Sequence, residues 1–365
     1  MEYVNLGDVA TYINGYAFKP EQRGKKGLPI IRIQDLNGNS HDLGFFDGEY
    51  PKQVEINAGD ILISWSGSLG VYKWNKGKAL LNQHIFKVLF NKIKIDKEYF
   101  CYAVKNSLSV MSQQTHGATM KHITKKDFDK VLIPYPSLNT QRKIAQKLNI
   151  VTELIVFYET ELSLMEQLIK ARFVEMFGDP IINPYGFPVK KIDEVAVLNK
   201  GITYSPDDIS KEGIIVLRSG NIKGNAFDLE DIVRISKKIS NDKLVNENDI
   251  LMCNRNGSVN LVGKVAKIPK LEEKMTFGTF MTIVRSEIFE YLFVFFQMNA
   301  FREQIKFQTA VAINQISLPL LASVKVPIPT NELIKEFADF VEQVDKSRFD
   351  IKKSITEIER EVVYD

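Results

Sequence analysis

The sequence predicts an α+β fold: two mixed α/β globules separated by two long antiparallel coiled-coil helices, with pseudo-twofold symmetry. Three observations lead to this expectation. The chain repeats itself, since "VLIPYPSLNTQRKIAQKL" from Val131 matches "VKVPIPTNELIKEFADFV" from Val324, placing Pro134 and Pro136 193 residues before Pro327 and Pro329. An apolar heptad seam follows each Pro-x-Pro pair. A stretch dense in proline and glycine, "FGDPIINPYGFP" at residues 177–188, ends the first seam and joins the two copies. The expected divisions are a first globule at 1–137, a central helix at 138–177, a linker at 178–190, a second globule at 191–330 and a C-terminal helix at 331–365.

The globules echo each other in order along the chain. "LGDVA" at Leu6 resembles "IDEVA" at Ile192, and "IIRIQDLNGN" at Ile30 resembles "VLRSGNIKGN" at Val216, with Arg32 on Arg218. "GDILIS" at Gly59 resembles "NDILMC" at Asn248, and "HGATMKHITKKDF" at His116 resembles "TAVAINQISLPLL" at Thr309. The separation drifts from 186 to 193 residues, as small insertions in surface loops would produce.

In the central helix the seam is Ile144, Leu148, Val151, Ile155, Tyr158, Leu162, Met165 and Ile169. In the C-terminal helix it is Phe337, Val341, Val344, Arg348, Ile351, Ile355, Ile358 and Val362, of which only Arg348 is not apolar. Every position matches its partner at one offset, which two unrelated amphipathic surface helices would not do. A helix from Leu138 to Phe177 is about 60 Å long at about 1.5 Å per residue. Gly178 suits the αL cap of such a helix, and the prolines that follow forbid its continuation. Asp365 maps onto Arg172, so the chain reads as a nearly closed cycle of two equal units.

Composition excludes several function classes. The 365 residues allow two domains, and a net charge of +3 permits nucleic-acid binding without demanding it. The longest apolar run, Tyr291 to Met298, is too short to span a membrane. "MEYVNLGDVA" lacks the basic and apolar regions of a signal peptide. Cys101 and Cys253 form no CxxC pair, so a reduced, cytoplasmic chain is expected. His41, His84, His116 and His122 have no ligand spacing, and no P-loop, HExxH or GxSxG is present. "NPYG" at Asn183 resembles the Asn-Pro-Pro-Tyr loop of amino-methyltransferases, but it lacks the second proline and lies in the linker, where turn chemistry explains it. No catalytic, cofactor-binding or metal-ligating residues are therefore expected.

Binding chemistry is better represented. Each globule carries an apolar strand that runs into a polar, glycine-containing tip. The first tip, "SWSGSLGVYKW", offers Ser66, Ser68, Tyr72 and Lys73. The second, "NRNGSVNLVGK", offers Asn254, Arg255, Asn256, Ser258, Asn260 and Lys264. Such groups donate to phosphates or base edges, and arginine pairs bidentately with guanine. The glycines and tryptophans equally suit a hairpin turn with Trp65 packed inward. A second cluster holds Gln113, Gln114, Thr115, His116, Thr119 and Lys121, with Gln308, Asn314 and Gln315 as its counterpart. Glutamine and asparagine pair with adenine, although a solvated loop has the same composition. A basic loop adds Lys19, Arg23, Lys25 and Lys26. The repeated "IIRIQDLNGN" and "VLRSGNIKGN" segments add Arg32 in the first copy and Arg218, Asn221 and Lys223 in the second. A repeated frame with divergent tips suits two different half-sites on duplex DNA. A coiled-coil scaffold with two protein-binding heads is the alternative.

"MFGDPIINPYGFPVKKIDEVA", the Pro-x-Pro followed by "NTQRKIAQKL", and the duplicated "GDILIS…SGSLG" pattern resemble the DNA-specificity subunit of type I restriction–modification systems, often called HsdS. The resemblance covers essentially the whole chain. It implies two target recognition domains that read a bipartite, asymmetric site on double-stranded DNA, held apart by two antiparallel conserved-region helices. It implies a chain without catalytic activity. Its implied partners are two methyltransferase subunits that use S-adenosylmethionine, and restriction subunits that use ATP and magnesium. Two positions depart between the copies: Ile334 stands where Gln141 does, and Ala310 where Gly117 does.

Overall fold

A computed structural model describes residues 2–38, 42–114, 124–306 and 315–364. The chain forms two compact units, Met1–Val156 and Phe157–Val363. The division falls inside a central helix, Leu138–Phe177.

The two globules have the same topology. In the first, a four-stranded antiparallel sheet runs in the order Thr11–Asn14, Ile85–Leu89, Ile61–Ser64, Gly70–Lys73. In the second the order is Val197–Lys200, Met281–Arg285, Ile250–Cys253, Val265–Lys267. The inner strands "ILIS" and "ILMC" are buried at every residue, because side chains alternate between two apolar layers. Ile61 and Ile63 enter one core and Leu62 another, just as Ile250 and Met252 separate from Leu251 and Cys253. A second sheet in each globule contains a parallel pair, Leu28–Ile31 with Ala79–Leu81 and Ile214–Leu217 with Met275–Phe277.

Each Pro-x-Pro motif ends a short strand that pairs with the first strand of its own copy. Tyr3 faces Pro134, and Val189 faces Pro327. The backbone N–H groups of Tyr135 and Ile328 donate to Glu2 (2.8 Å) and Pro188 (2.8 Å). A buried tyrosine hydroxyl donates to the proline carbonyl in both copies: Tyr99 to Pro134 at 2.8 Å, Tyr291 to Pro327 at 2.6 Å. These four groups explain why the prolines are tolerated: they lie at strand ends, where no ladder N–H is missed.

The helix starts differ as residues 141 and 334 require. Gln141 is buried; its amide donates to the Pro136 carbonyl at 2.9 Å and its oxygen accepts from the Asp96 N–H at 2.9 Å. Ile334 joins the apolar core of the second unit instead. Every expected seam position from Ile144 to Ile169 and from Phe337 to Ile358 is buried or half-buried. Within the second unit the central helix and the C-terminal helix, Asn331–Tyr364, run antiparallel. Arg172 pairs with Glu336 at 2.8 Å, while Glu166, earlier in its helix, pairs with Arg348, later in the other, at 3.0 Å.

The central helix stops at Gly178, whose φ of 73° is the left-handed cap conformation. Its N–H donates to Val174 at 2.8 Å. Asn183, also at positive φ, forms a local turn: its side chain accepts from the Phe187 N–H (3.0 Å) and donates to the Phe187 carbonyl (2.8 Å).

One pair of glycines marks where the backbone passes closest to itself. A Cβ on Gly15 would lie 2.0 Å from the Asn82 carbonyl oxygen, and one on Gly201 would lie 2.0 Å from that of Gly278. Both sit where a parallel bridge follows, Tyr16 to Asn82 and Ile202 to Gly278. Gly201→Ala must move backbone, so it should cost about 1–3 kcal/mol. Chemical denaturation of the purified variant checks this; an unchanged midpoint would show that the crossing is looser than described.

Candidate nucleic-acid interface

In the first unit the tip joins Ile61–Ser64 to Gly70–Lys73 as an antiparallel hairpin. Trp65 stacks on Phe86 at 5.7 Å and meets the His84 ring edge-on at 5.0 Å. Its indole N–H donates to Asn14 at 3.2 Å. Ser68 is exposed at the turn, whereas Ser66 is buried. Tyr72 donates its hydroxyl to Asn37, and Lys73 pairs with Glu98, which holds the lysine above its ordinary pKa range. Lys19, Arg23, Lys25 and Lys26 are exposed in the loop before Leu28, with Arg23 donating to the Phe18 carbonyl at 3.3 Å. Arg32 is tied down by Asp35 at 3.2 Å and by the carbonyl of Asp42.

In the second unit the tip spans 254–264 between Ile250–Cys253 and Val265–Lys267. Arg255, Ser258 and Asn260 are exposed, and Asn256 and Lys264 are half-buried. Asn256 donates to the Ser219 hydroxyl at 3.0 Å and accepts from the Ser258 N–H at 2.9 Å. The tip is thereby joined to the loop that carries Arg218. Arg218 pairs with Asp231 at 2.6 Å, and Lys223 pairs with Asp228 and Glu230. Gln315 bridges Arg255 through the backbone.

Three of the expected contact residues are buried rather than exposed. Asn221 is 1 % exposed and spends its amide inside: its oxygen accepts from the Arg218 N–H (2.8 Å), and its nitrogen donates to the Asp228 (2.9 Å) and Asp231 (3.0 Å) carbonyls. It shapes the loop and has no donor left for a base. Ser66 and Asn254 are buried as well, since each is the first or second residue beyond an inner strand. Gln113 and Gln114 are placed only as the end of the helix Lys97–Gln114. Thr115, His116, Thr119, Lys121, Gln308 and Asn314 lie outside the described residues.

Reading the sequence missed Phe280. It is an exposed ring on the turn Gly278–Phe280, and the Arg255 guanidinium lies 5.1 Å from its centroid. The matching turn in the first unit is Asn82–His84, where His84 has a positive φ of 76°. The two turns share no residue, "NQH" against "GTF", so no alignment could expose them. Only the strands that precede them, which face the two inner hairpins, reveal the match.

The chemistry elsewhere is quiet. Burial pushes the Cys101 thiol up to about 12 and the Cys253 thiol up to about 11, so neither is a ready nucleophile. Among the described residues no group of three His, Cys, Asp or Glu side chains is placed to hold a metal ion, and no helix is long and apolar enough to cross a membrane.

The family described as "Type I restriction modification DNA specificity domain" matches the chain twice, over residues 1–166 and 184–360. The chain is 25% identical over 391 residues to the type I restriction enzyme EcoBI specificity subunit of Escherichia coli, covering 96% of this chain and 81% of that one. It is 22% identical over 369 residues to the MjaVIII specificity subunit of Methanocaldococcus jannaschii, covering 94% and 86%. The crystal structure of the S subunit of a type I restriction–modification system from M. genitalium shares the fold, with a TM-score of 0.51 at 15% identity over 98% of this chain and 92% of that one. Two matches of one domain, laid over two copies of one topology with unlike tips, lead to one conclusion: the chain belongs to the DNA-specificity subunits of type I restriction–modification systems.

Proposed function

We propose that the chain is the non-catalytic, cytoplasmic DNA-recognition subunit of its complex, in which each globule reads one half of a bipartite, asymmetric target on double-stranded DNA. The observation that carries this reading is the contrast between frame and tip. The sheets, the Pro-x-Pro strands and the tyrosine locks repeat, while the exposed tips offer Ser68 and a basic loop in one copy and Arg255, Ser258 and Asn260 in the other. A frame that repeats under tips of different chemistry supports recognition of two different base sequences.

The helices take the other two tasks: they set the distance between half-sites and dock two methyltransferase subunits. Those subunits bring S-adenosylmethionine, and restriction subunits bring ATP and magnesium chemistry. Phe157, Leu164 and Leu168 support the docking role. They form an exposed apolar line on the central helix at spacings of seven and four, away from the half-buried Leu162 and Met165 and the buried Ile169. Solvent-facing apolar stripes at helical spacing mark partner surfaces.

Exchanging residues 1–137 for the same segment of a relative should change one half of the methylated motif and leave the other. A change in both halves would sink the division of labour, and a complex that methylates without sequence preference would favour a protein-binding scaffold.

Leu164→Glu should abolish co-purification with the methyltransferase subunit, while the thermal midpoint of the isolated chain moves little. Retained co-purification removes this face as the docking surface.

Inserting one heptad in each long helix keeps the seam facing its partner and adds about 10 Å at about 1.5 Å per residue. At about 34 Å per 10 base pairs, the spacer of the methylated motif should lengthen by about three base pairs. An active variant with the original spacer would show that the helices do not set the distance.

A further inference from the structure

We propose that Phe280 is a positioning residue for base reading: its ring holds the Arg255 guanidinium at the tip of the second globule, so that Arg255 reads a guanine in that globule's half-site. The inference rests on the recognition role proposed above and assigns the chemistry of one half of it.

The second globule contains five arginines between Val189 and Pro327. Arg218 pairs with Asp231, Arg234 with both carboxylate oxygens of Glu273, and Arg285 with both of Asp249. Arg302 donates to the carbonyls of Val262 and Gly263. Arg255 differs: among the described residues no carboxylate pairs with it, and its guanidinium lies over Phe280.

Its backbone, by contrast, is held firmly. The N–H groups of Asn254 and Arg255 both donate to the Phe280 carbonyl, at 3.0 and 3.2 Å. Gln315 forms a bridge with Arg255, and the Ile316 N–H donates to the Asn254 carbonyl at 2.7 Å. Phe280 thus fixes both ends of the arginine, the backbone through its carbonyl and the head through its ring. Phe280 as a whole is 50 % exposed, which apolar packing does not account for. Guanidinium stacking orients the plane and leaves N–H groups free in the fork that matches guanine O6 and N7. The first globule keeps one backbone bond of the device, with the Trp65 backbone N–H donating to the His84 carbonyl at 3.1 Å as that of Asn254 does to Phe280, but the buried Ser66 stands where Arg255 does, and the His84 ring meets Trp65 instead of a guanidinium. Its half-site is therefore read by different chemistry.

The test uses the full chain assembled with its methyltransferase subunits, and maps methylated adenines on host DNA. Wild type should require a guanine in the half-site assigned to residues 191–330. Phe280→Ala and Phe280→Leu should weaken that preference on the order of tenfold, as Arg255→Ala should, while the other half-site is read unchanged. Phe280→Tyr, which keeps the ring, should retain it. The unchanged half-site shows that a variant is folded, and the leucine variant keeps apolar bulk without a ring. A motif unaltered in Phe280→Leu, or equal loss at all positions, overturns the inference. So does a wild-type motif without guanine in the second half. If wild type selects no bipartite motif at all, the recognition role itself fails.

Discussion

Four rings hold both long helices to the second globule. Phe173 stacks on Tyr291 at 4.9 Å and meets Phe337 edge-on at 5.6 Å; Phe177 meets Tyr291 at 5.0 Å and Phe337 at 5.3 Å, also edge-on. Aromatic pairs in these geometries contribute about 0.5–1.5 kcal/mol each beyond the area they bury. Tyr291 also donates its hydroxyl to the Pro327 carbonyl, and burial pushes that phenol far above its ordinary range. Tyr291 therefore links its own short helix, Phe289–Phe295, to the strand that ends the globule and to the central helix, and Phe173 and Phe177 carry the contact on to Phe337 of the C-terminal helix.

A polar network beside the four rings explains the one charged residue in the seam. Lys267 lies 2.7 Å from Glu290 and 2.9 Å from Asp345, and Arg348 contacts Asp345 at 3.1 Å and Glu166 at 3.0 Å. Burial pushes the Lys267 pKa down, but the two carboxylates outweigh it and hold the amine above its usual range. Burial pushes the Glu290 carboxyl above the carboxylate range, opposed by Lys267. Buried ion pairs repay their desolvation poorly as stability, and fixing register is their best-attested use. Arg348 meets Glu166 across the helix pair while Asp345 carries the network on to Lys267 of the globule, which ties the register of the antiparallel pair to the globule.

The frame and the tips thus follow different physics. The frame is apolar, alternates strictly between layers, and closes on glycines where chain crosses chain, so it tolerates little variation. The tips hang from backbone hydrogen bonds to a neighbouring turn and expose side chains that packing does not dictate. That separation lets two copies of one fold carry different surface chemistry.

The sequence alone determined what depends on periodicity and local backbone chemistry. The heptad steps from Ile144 to Ile169 and from Phe337 to Ile358 placed the seam, the Pro-x-Pro repeat aligned the copies, and Gly178 marked the end of the central helix. Arg255 was legible as an exposed arginine beside a glycine turn. Tertiary structure alone decided the rest. Asn221 and Ser66 looked like surface donors, yet the fold buries them, because a polar residue's exposure depends on which chain segments cover it. Gln141 and the tyrosines Tyr99 and Tyr291 gave no local signal, since their partners lie at least 35 residues away or across a turn without side-chain pattern. Phe280 was invisible for the same reason: its role comes from a turn far along the chain being carried by sheet pairing to the tip, and linear spacing holds no record of that approach.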